Sequence, residues 1–330
     1  MRLIFAFDGG GTKTHLAVFD DQGHVLYQKL GLGCNHQSIG INHFKKVIGT
    51  LYQDALVELD VQHRQIAMVY LGISGADLPE DYEKLEAACR SMFNQTPFVV
   101  TNDAWIVMRS GLKSAFGAVA ISGTGTNAAA IGHDGKKAIL RSLGFVLGIY
   151  GGGLDIARAA LHHAFRADEL TYHDTLLKTE IPLLLDCRTM AEVVPFFYPT
   201  YRLPRDVMGS ITALVNRLAL AGDVVSQDIL REAGFHVGWQ TAGVIRQVGS
   251  EHETVPVVVG GRVFQSESPC FLEAFEQQLK TIVPKAYIIH PVYPPVVGAY
   301  LFALDHLGIA QDEKLDQTLK ESWHNHEKSD

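Results

Sequence analysis

Residues 4–19 read IFAFDGGGTKTHLAVF: an apolar run, three glycines and a threonine, then a second apolar run. Successive glycines lift the Cβ restriction, so the backbone can take positive φ and bring consecutive N–H groups close to a ligand's oxygens. Thr12 adds a hydroxyl and Asp8 a carboxylate. A carboxylate beside a phosphate nest suits Mg²⁺, which prefers one or two carboxylates with phosphate and water, so Asp8 is the candidate metal residue, acting through water. The stretch is not a GxxxxGK[ST] loop, because Lys13 follows Thr12 and a second strand comes next where that motif has a helix. Taken alone, it is equally readable as a tight hairpin turn.

Residues 119–131, VAISGTGTNAAAI, repeat the device. The first copy runs on to a turn at Asp21-Gln22-Gly23 and the second to a turn at His133-Asp134-Gly135. Both therefore read strand, glycine-threonine loop, strand, turn, strand. A chain that builds one phosphate-cradling device twice is expected to hold one nucleotide between two related halves.

Outward from the first loop, 25–30 reads as a third strand, 41–59 has the apolar spacing of a helix, 66–73 is a buried strand, 82–92 a helix and 97–101 a strand ending at Asp103. Alternating strands and helices predict a mixed sheet covered by helices. The plan restarts at Gly117, with a helical insertion over about 156–248, a strand at 255–259 ending in Gly260-Gly261, and a helix over 271–282. The division expected is 1–117 and 118–330, with a helix at 295–307 able to pack back on the first lobe and a charged, frayed tail over 311–330. Gly117 and a loop around Gly298 are the expected crossings between lobes.

At 330 residues the chain is long for one core and sufficient for two. Its 28 Lys and Arg against 36 Asp and Glu leave a net charge of −8, so no basic footprint for nucleic acid is present. No signal peptide or membrane-length apolar run is visible. Cys34, Cys89, Cys187 and Cys270 lie far apart without CxxC spacing, so they suggest neither zinc nor an iron-sulfur cluster and fit free thiols in a cytoplasmic protein.

These segments resemble the actin-like ATPase superfamily of sugar and acetate kinases, and within it the N-acetylglucosamine kinase group of BadF/BadG-type ATPases. The carrying residues are DGGGTKT (8–14), CNHQ (34–37), SGAD (74–77), TNDAW (101–105), ISGTGTN (121–127) and VVVGGRVF (257–264), which run in the family's order. The resemblance implies an α/β fold of two duplicated actin-like (ribonuclease H-like) domains with a cleft between them, and ATP with Mg²⁺ as cofactors. It also implies an amino sugar as substrate and a homodimer, with no nucleic-acid or membrane partner. The absence of paired cysteines beside a nucleotide loop favours the kinase branch over relatives that carry a cluster for electron transfer.

Asp103 follows an apolar strand, where ligands gather in open sheets, and the resemblance places the family's catalytic Asp there. It would accept the proton as the sugar hydroxyl, most simply the 6-hydroxyl of N-acetylglucosamine, attacks ATP. The competing reading is that Asp103 caps the next helix. For the sugar, the resemblance points to Asn35, whose carboxamide donates and accepts at once, with Ser74, Gly75 and Asn127. His36 reads as an ordinary loop residue. For the nucleotide it points to Gly9, Gly10, Gly11, Thr12 and Lys13, to Thr124, Gly125 and Thr126, and to Gly260 and Gly261 beneath the adenosine.

One departure stands out. The family usually carries Gly-Trp-Gly and then Leu-Gly-Asp-Glu-Gly-Ser, whereas this chain reads Ser142-Leu143-Gly144 and Leu147-Gly148-Ile149-Tyr150-Gly151-Gly152. Ile149 and Tyr150 replace an acidic pair whose Asp is expected to contact a sugar hydroxyl, and losing such an acceptor alters substrate choice. Glucosamine, N-acetylmannosamine or N-acetylmuramic acid are therefore alternative acceptors, and a low-turnover sugar-sensing protein is the alternative from another functional class.

Overall fold

The first apolar run forms β1 (Leu3–Gly9), antiparallel to β2 (Lys13–Asp20), which pairs in turn with β3 (Val25–Leu32). The chain then passes through α1 (His36–Ile39) and α2 (Ile41–Glu58) to β4 (Ile66–Ile73), parallel to β1. Next, α3 (Pro79–Phe93) leads to β5 (Phe98–Asn102), parallel to β4, and α4 (Asp103–Gly111) starts on the following residue. The sheet order is β3-β2-β1-β4-β5. This is a computed structural model, and it describes residues 2–93, 95–114, 116–200 and 204–327.

The same plan follows in β6 (Gly117–Ser122), β7 (Thr126–Ile131) and β8 (Lys137–Ile139), which are antiparallel. Helices α5 (Gly153–Asp168), α6 (Leu177–Leu184), α7 (Met190–Phe197), α8 (Arg205–Leu220) and α9 (Val224–Gln247) fill the expected insertion. The chain re-enters the sheet as β9 (Pro256–Gly260), parallel to β6, and α10 (Pro269–Ile282) leads to β10 (Tyr287–Ile289), parallel to β9. The order β8-β7-β6-β9-β10 matches that of the first sheet strand for strand. The weak repetition in the sequence is thus a duplicated actin-like α/β fold.

Two units result, Met1–Ala115 with Pro291–Asp330, and Phe116–His290. The chain passes from one to the other at 115–116 and at 290–291. Gly298, expected in a loop at a crossing, instead lies inside α11 (Pro295–Leu307) of the first unit. The reason β1 is an unbroken apolar run from Leu3 to Phe7 is that its sheet is covered on both faces. Phe5 and Phe7 join Phe44, Ile48 and Leu51 of α2, while Ile4 and Ala6 face Val296, Val297, Tyr300 and Leu304 of α11.

Within the charged stretch expected to fray over 311–330, the described residues are ordered. They form α12 (Glu313–Glu327), with residues 328–330 outside those described. Leu315, Leu319 and Trp323 recur every fourth residue and are buried on one face. Phe19 stacks on Tyr300 with ring centroids 4.2 Å apart and on Trp323 at 6.2 Å, which ties both terminal helices to β2. The second unit has one large core, in which small residues of the sheet (Ala118, Ala120, Ala128, Ala130) admit α5 and α9. No single helix among the described residues is long and apolar enough to cross a membrane.

At Gly298, α11 meets α4 so closely that a Cβ would stand 1.9 Å from the carbonyl oxygen of Ile106. That oxygen is backbone and cannot swing aside. Gly298→Ala is therefore expected to cost about 1–3 kcal/mol in urea unfolding. Gly209→Ala, on an open face of α8 with nothing within 4 Å, should instead stabilise by up to about 1 kcal/mol. Equal effects at the two sites would contradict this packing.

Candidate active site

Three parallel strands of the first unit end together. Gly9 of β1 is in register with Ile73 of β4, and Ile73 with Asn102 of β5. The next residues, Gly10, Ser74 and Asp103, therefore leave the sheet side by side along its carboxyl edge. At about 4.8 Å per strand, Asp103 lies roughly 10 Å across the sheet from the first loop. The Ser74 N–H donates to Gly9 O (2.8 Å) and the Cys34 N–H to Gly10 O (3.0 Å), so the segments after β3 and β4 are stitched to the first loop through backbone, and the Gly10 N–H closes that loop on Lys13 O (2.9 Å).

None of Gly9, Gly10 and Gly11 adopts the positive φ expected of them. The constraint is close approach: a Cβ on Gly9 would meet Cys34 Sγ at 2.5 Å and Ile73 Cδ1 at 2.6 Å. Gly11, Thr12 and Lys13 are exposed at the loop's tip.

Asn35 caps α1: its Oδ1 accepts from the Gln37 N–H (3.0 Å) and its Nδ2 donates to Ser74 Oγ (3.2 Å). The Gln37 side-chain amide is shared among Gly75 O (3.1 Å), Asp77 Oδ2 (3.3 Å) and Asp81 Oδ2 (3.2 Å). The structure thus brings Asn35, Ser74 and Gly75 together. His36 is no loop residue; it is buried in α1 with Nε2 3.0 Å from Asp81 Oδ1. Burial works to raise the Asp81 carboxyl, but hydrogen bonds from Leu78 N–H, His36 and Gln37 outweigh it and hold it below the usual range.

The helix that begins at Asp103 is capped by its neighbour. Asn102, 1% exposed, accepts the Ala104 N–H on Oδ1 (2.9 Å) and donates from Nδ2 to Ala76 O (3.2 Å) and Asp77 Oδ1 (2.9 Å). Asp103 is therefore not the cap, and its half-buried carboxyl occupies the first helical position. Burial, then the charges of Asp8 and Asp77, push it up to about 7, although the N–H groups of Ala104 and Asp103 itself pull it down. Burial likewise pushes Asp8 up to about 6 against the pull of Lys13, and Asp77 up to about 6 against hydrogen bonds from Gln37 and Asn102. Three carboxyls at one sheet edge are each held reluctant to ionise, which favours proton acceptance and cation binding there.

In the second unit, β6 and β9 end side by side, Ile121 opposite Gly260. Gly261 has φ +93°, and a Cβ there would lie 2.3 Å from Ser122 O, so the two loops meet backbone to backbone. Thr124 and Gly125 are exposed at the second loop's tip, whereas Thr126 and Asn127 are buried in β7 and Asn127 Oδ1 accepts the Ala128 N–H (2.8 Å). The start of α5 is bonded to that loop: Gly153 N–H to Gly123 O (2.8 Å) and Leu154 N–H to Thr124 O (3.1 Å). The segment before it is anchored at both ends, Ser142 Oγ to Thr126 O (3.2 Å) and Ser122 Oγ to Gly151 O (2.7 Å). Between these anchors Ile149 is 7% exposed, and the Tyr150 ring packs edge-on against Phe145 and His236. Burial, then Glu232 and Asp155, push the Tyr150 hydroxyl up to about 12.

Gln37, Asp77 and Asn102 carry no role in the sequence reading, although each stands inside a motif quoted for another residue. Their positions within CNHQ, SGAD and TNDAW are the signal that could have found them. Among the described residues, no group of three or more His, Cys, Asp or Glu is arranged to hold a metal. Asp8 beside the first loop instead fits a cation that takes most of its ligands from phosphate and water.

A model of the BadF/BadG/BcrA/BcrD ATPase family matches residues 7–303. The chain is 26% identical over 303 residues to the N-acetylmuramic acid/N-acetylglucosamine kinase of Clostridium acetobutylicum, covering 92% of this chain and 98% of that one. It is 24% identical to the N-acetyl-D-glucosamine kinase of Dictyostelium discoideum, again over 92% and 98%. A solved structure of a candidate N-acetylglucosamine kinase from Chromobacterium violaceum shares the fold, with TM-score 0.68, 18% identity and coverage of 92% and 99%.

The Asp103 carboxyl titrates near 7 when folded and near 3.8 as a free carboxyl. Between those values the folded ligand-free protein binds more protons than the unfolded chain, so this group's contribution falls as pH rises through that window. Asp103→Asn should accordingly be more stable than the native chain at about pH 8, with the gap closing towards about pH 4. Urea unfolding across that range measures it, and equal stability at the upper end would contradict the strained carboxyl.

Proposed function

We propose, given that this chain belongs to the BadF/BadG/BcrA/BcrD ATPase family, that it is a sugar kinase transferring the γ-phosphoryl group of ATP to a hydroxyl of an amino sugar. The observation that carries this reading is the Asn102 cap. It relieves Asp103 of the capping role at a sheet edge that also presents the first phosphate loop and the Asn35–Ser74 pair. Asp103 is the general base: it accepts the hydroxyl proton while the sugar oxygen bonds to the γ-phosphorus and ADP departs. A carboxyl near 7 is close to the optimum for a base working at neutral pH.

Asn35 and Ser74 orient the sugar, with Gly75 and Asn127 as further lining. Gly9 to Lys13, Thr124 to Thr126, and Gly260 with Gly261 are the ATP-binding elements. Mg²⁺, when bound, neutralises phosphate charge, and Asp8 is the residue that would hold it through water. Most of the catalysis is positioning and charge neutralisation, since phosphoryl transfer needs little covalent help.

The 6-hydroxyl of N-acetylglucosamine is the first acceptor proposed. N-acetylmuramic acid is the second, favoured by one observation. Position 149 offers a buried isoleucine and position 150 a packed tyrosine, so neither supplies a carboxylate to grip a sugar hydroxyl. The relative from Clostridium acetobutylicum, whose name includes both sugars, is in keeping with this.

ADP release measured with glucosamine, N-acetylglucosamine, N-acetylmannosamine and N-acetylmuramic acid tests the reading. Turnover is expected with N-acetylglucosamine or N-acetylmuramic acid, and kcat/KM should rise as pH passes through about 7. Asp103→Asn should lower kcat by about 10²- to 10⁴-fold while sugar still raises the melting temperature. A sugar-dependent melting shift with no ADP release from the native chain would instead identify a sensor.

A further inference from the structure

Asn102 has a carboxamide with two different ends and neighbours that want different things. The helix start offers a donor, the Ala104 N–H, whereas the loop after β4 offers acceptors, Ala76 O and the Asp77 carboxylate. Only one orientation satisfies both, with Oδ1 to the helix and Nδ2 to the loop. Asp77 makes the shorter of the two loop contacts, at 2.9 Å, and is the only charged acceptor among the three groups. Its other oxygen takes Gln37 Nε2 at 3.3 Å, and Gln37 donates its backbone N–H to Asn35. One carboxylate therefore joins the strand end beside the proposed base to the helix turn that presents the proposed sugar residue.

The Ala104 N–H has a second suitor. It also pulls the Asp103 carboxyl down, so that carboxylate competes with Asn102 for the same donor. If the Asn102 amide turned round, its NH₂ would face that N–H, the cap would be lost, and the Asp103 carboxylate would be drawn in to replace it. A carboxylate committed to its own helix is a poorer acceptor for a substrate proton and points away from where it is needed.

We propose that Asp77 is a positioning residue for phosphoryl transfer: by fixing the orientation of Asn102, it keeps Asn102 as the helix cap and Asp103 free to face the acceptor hydroxyl. This rests on the reading of Asp103 as the base. Asp77 touches neither the sugar nor ATP in this role, and its effect reaches the reaction through Asn102.

The test compares Asp77→Ala with Asp77→Asn. Alanine removes the Asp77 carboxylate and leaves Asn102 Nδ2 only the longer contact to Ala76 O, whereas asparagine can still accept from Asn102 Nδ2 through its own carbonyl oxygen. Asp77→Ala should lower kcat with the best amino sugar by about 10- to 100-fold, as expected for a misplaced reacting group. ATP affinity, measured by calorimetry, should stay unchanged, and more ADP should be released than sugar phosphate formed. Asp77→Asn should recover kcat to within a few-fold and restore equal yields. A crystal structure of ligand-free Asp77→Ala should show the Asp103 carboxylate bonded to the Ala104 N–H in place of Asn102.

Native kcat in Asp77→Ala, or an Asn102 cap unchanged in its structure, overturns the proposal. Loss of ATP affinity together with kcat, without rescue by asparagine, also overturns it, because that is the pattern of a residue needed only for the fold. Should the native chain phosphorylate no amino sugar, the kinase reading fails by itself, and the Asp77→Ala structure still decides whether Asp77 governs the cap.

Discussion

Parallel register is the constraint on which the first unit's chemistry depends. Because Gly9, Ile73 and Asn102 stand in one row across β1, β4 and β5, whatever follows them emerges at a single edge. Three segments separated by tens of residues are brought together by backbone hydrogen-bond ladders. The ladder holds only while both faces of the sheet are buried. α2 and α3 supply one cover, and α11 and α12, drawn from the far end of the chain, supply the other. The same terminal segment grips the helix that starts at Asp103: Arg109, 4% exposed, reaches Asp305 at 3.0 Å and also bonds to Leu112 O and Gln311. Core packing and site geometry are in this sense one structure.

At the edge itself, electrostatics sets the terms. Asp8, Asp77 and Asp103 are carboxyls withdrawn from bulk water, and each is pushed up by that withdrawal. The cost is borne by the ligand-free protein, as is common where function demands an unfavourable arrangement. Hydrogen bonds from Gln37 and Asn102 relieve Asp77, and Lys13 relieves Asp8. For Asp103 the local relief is two backbone N–H groups at a helix start, so a substrate hydroxyl and a nearby cation would complete what the fold leaves unbalanced.

Much of this was legible in the sequence because it is local. β4 and α11 have the boundaries that their apolar patterns predict, and α2 differs by a single residue. The duplication was visible because glycine-threonine loops between apolar runs are rare enough to be noticed twice. α12 was hidden because its three buried residues are outnumbered by charges, and only the presence of β2 and α11 beneath them makes the spacing meaningful. The cap was ambiguous for a different reason: Asn102 and Asp103 are adjacent and both are favoured caps, so spacing cannot choose between them. The links from Asp77 to Asn102 and to Gln37 span 25 and 40 residues, and no local pattern encodes a hydrogen bond across such distances.

A crystal structure with N-acetylglucosamine or N-acetylmuramic acid and a non-hydrolysable ATP analogue bears most directly on Asp103 as the base at this edge. The Asp103 carboxylate should lie about 2.6–3.2 Å from one sugar hydroxyl, with Asn102 still capping α4 and Asn35 bonded to the same sugar. A sugar bound away from this edge, or Asp103 turned onto the Ala104 N–H with no contact to a hydroxyl, would contradict it.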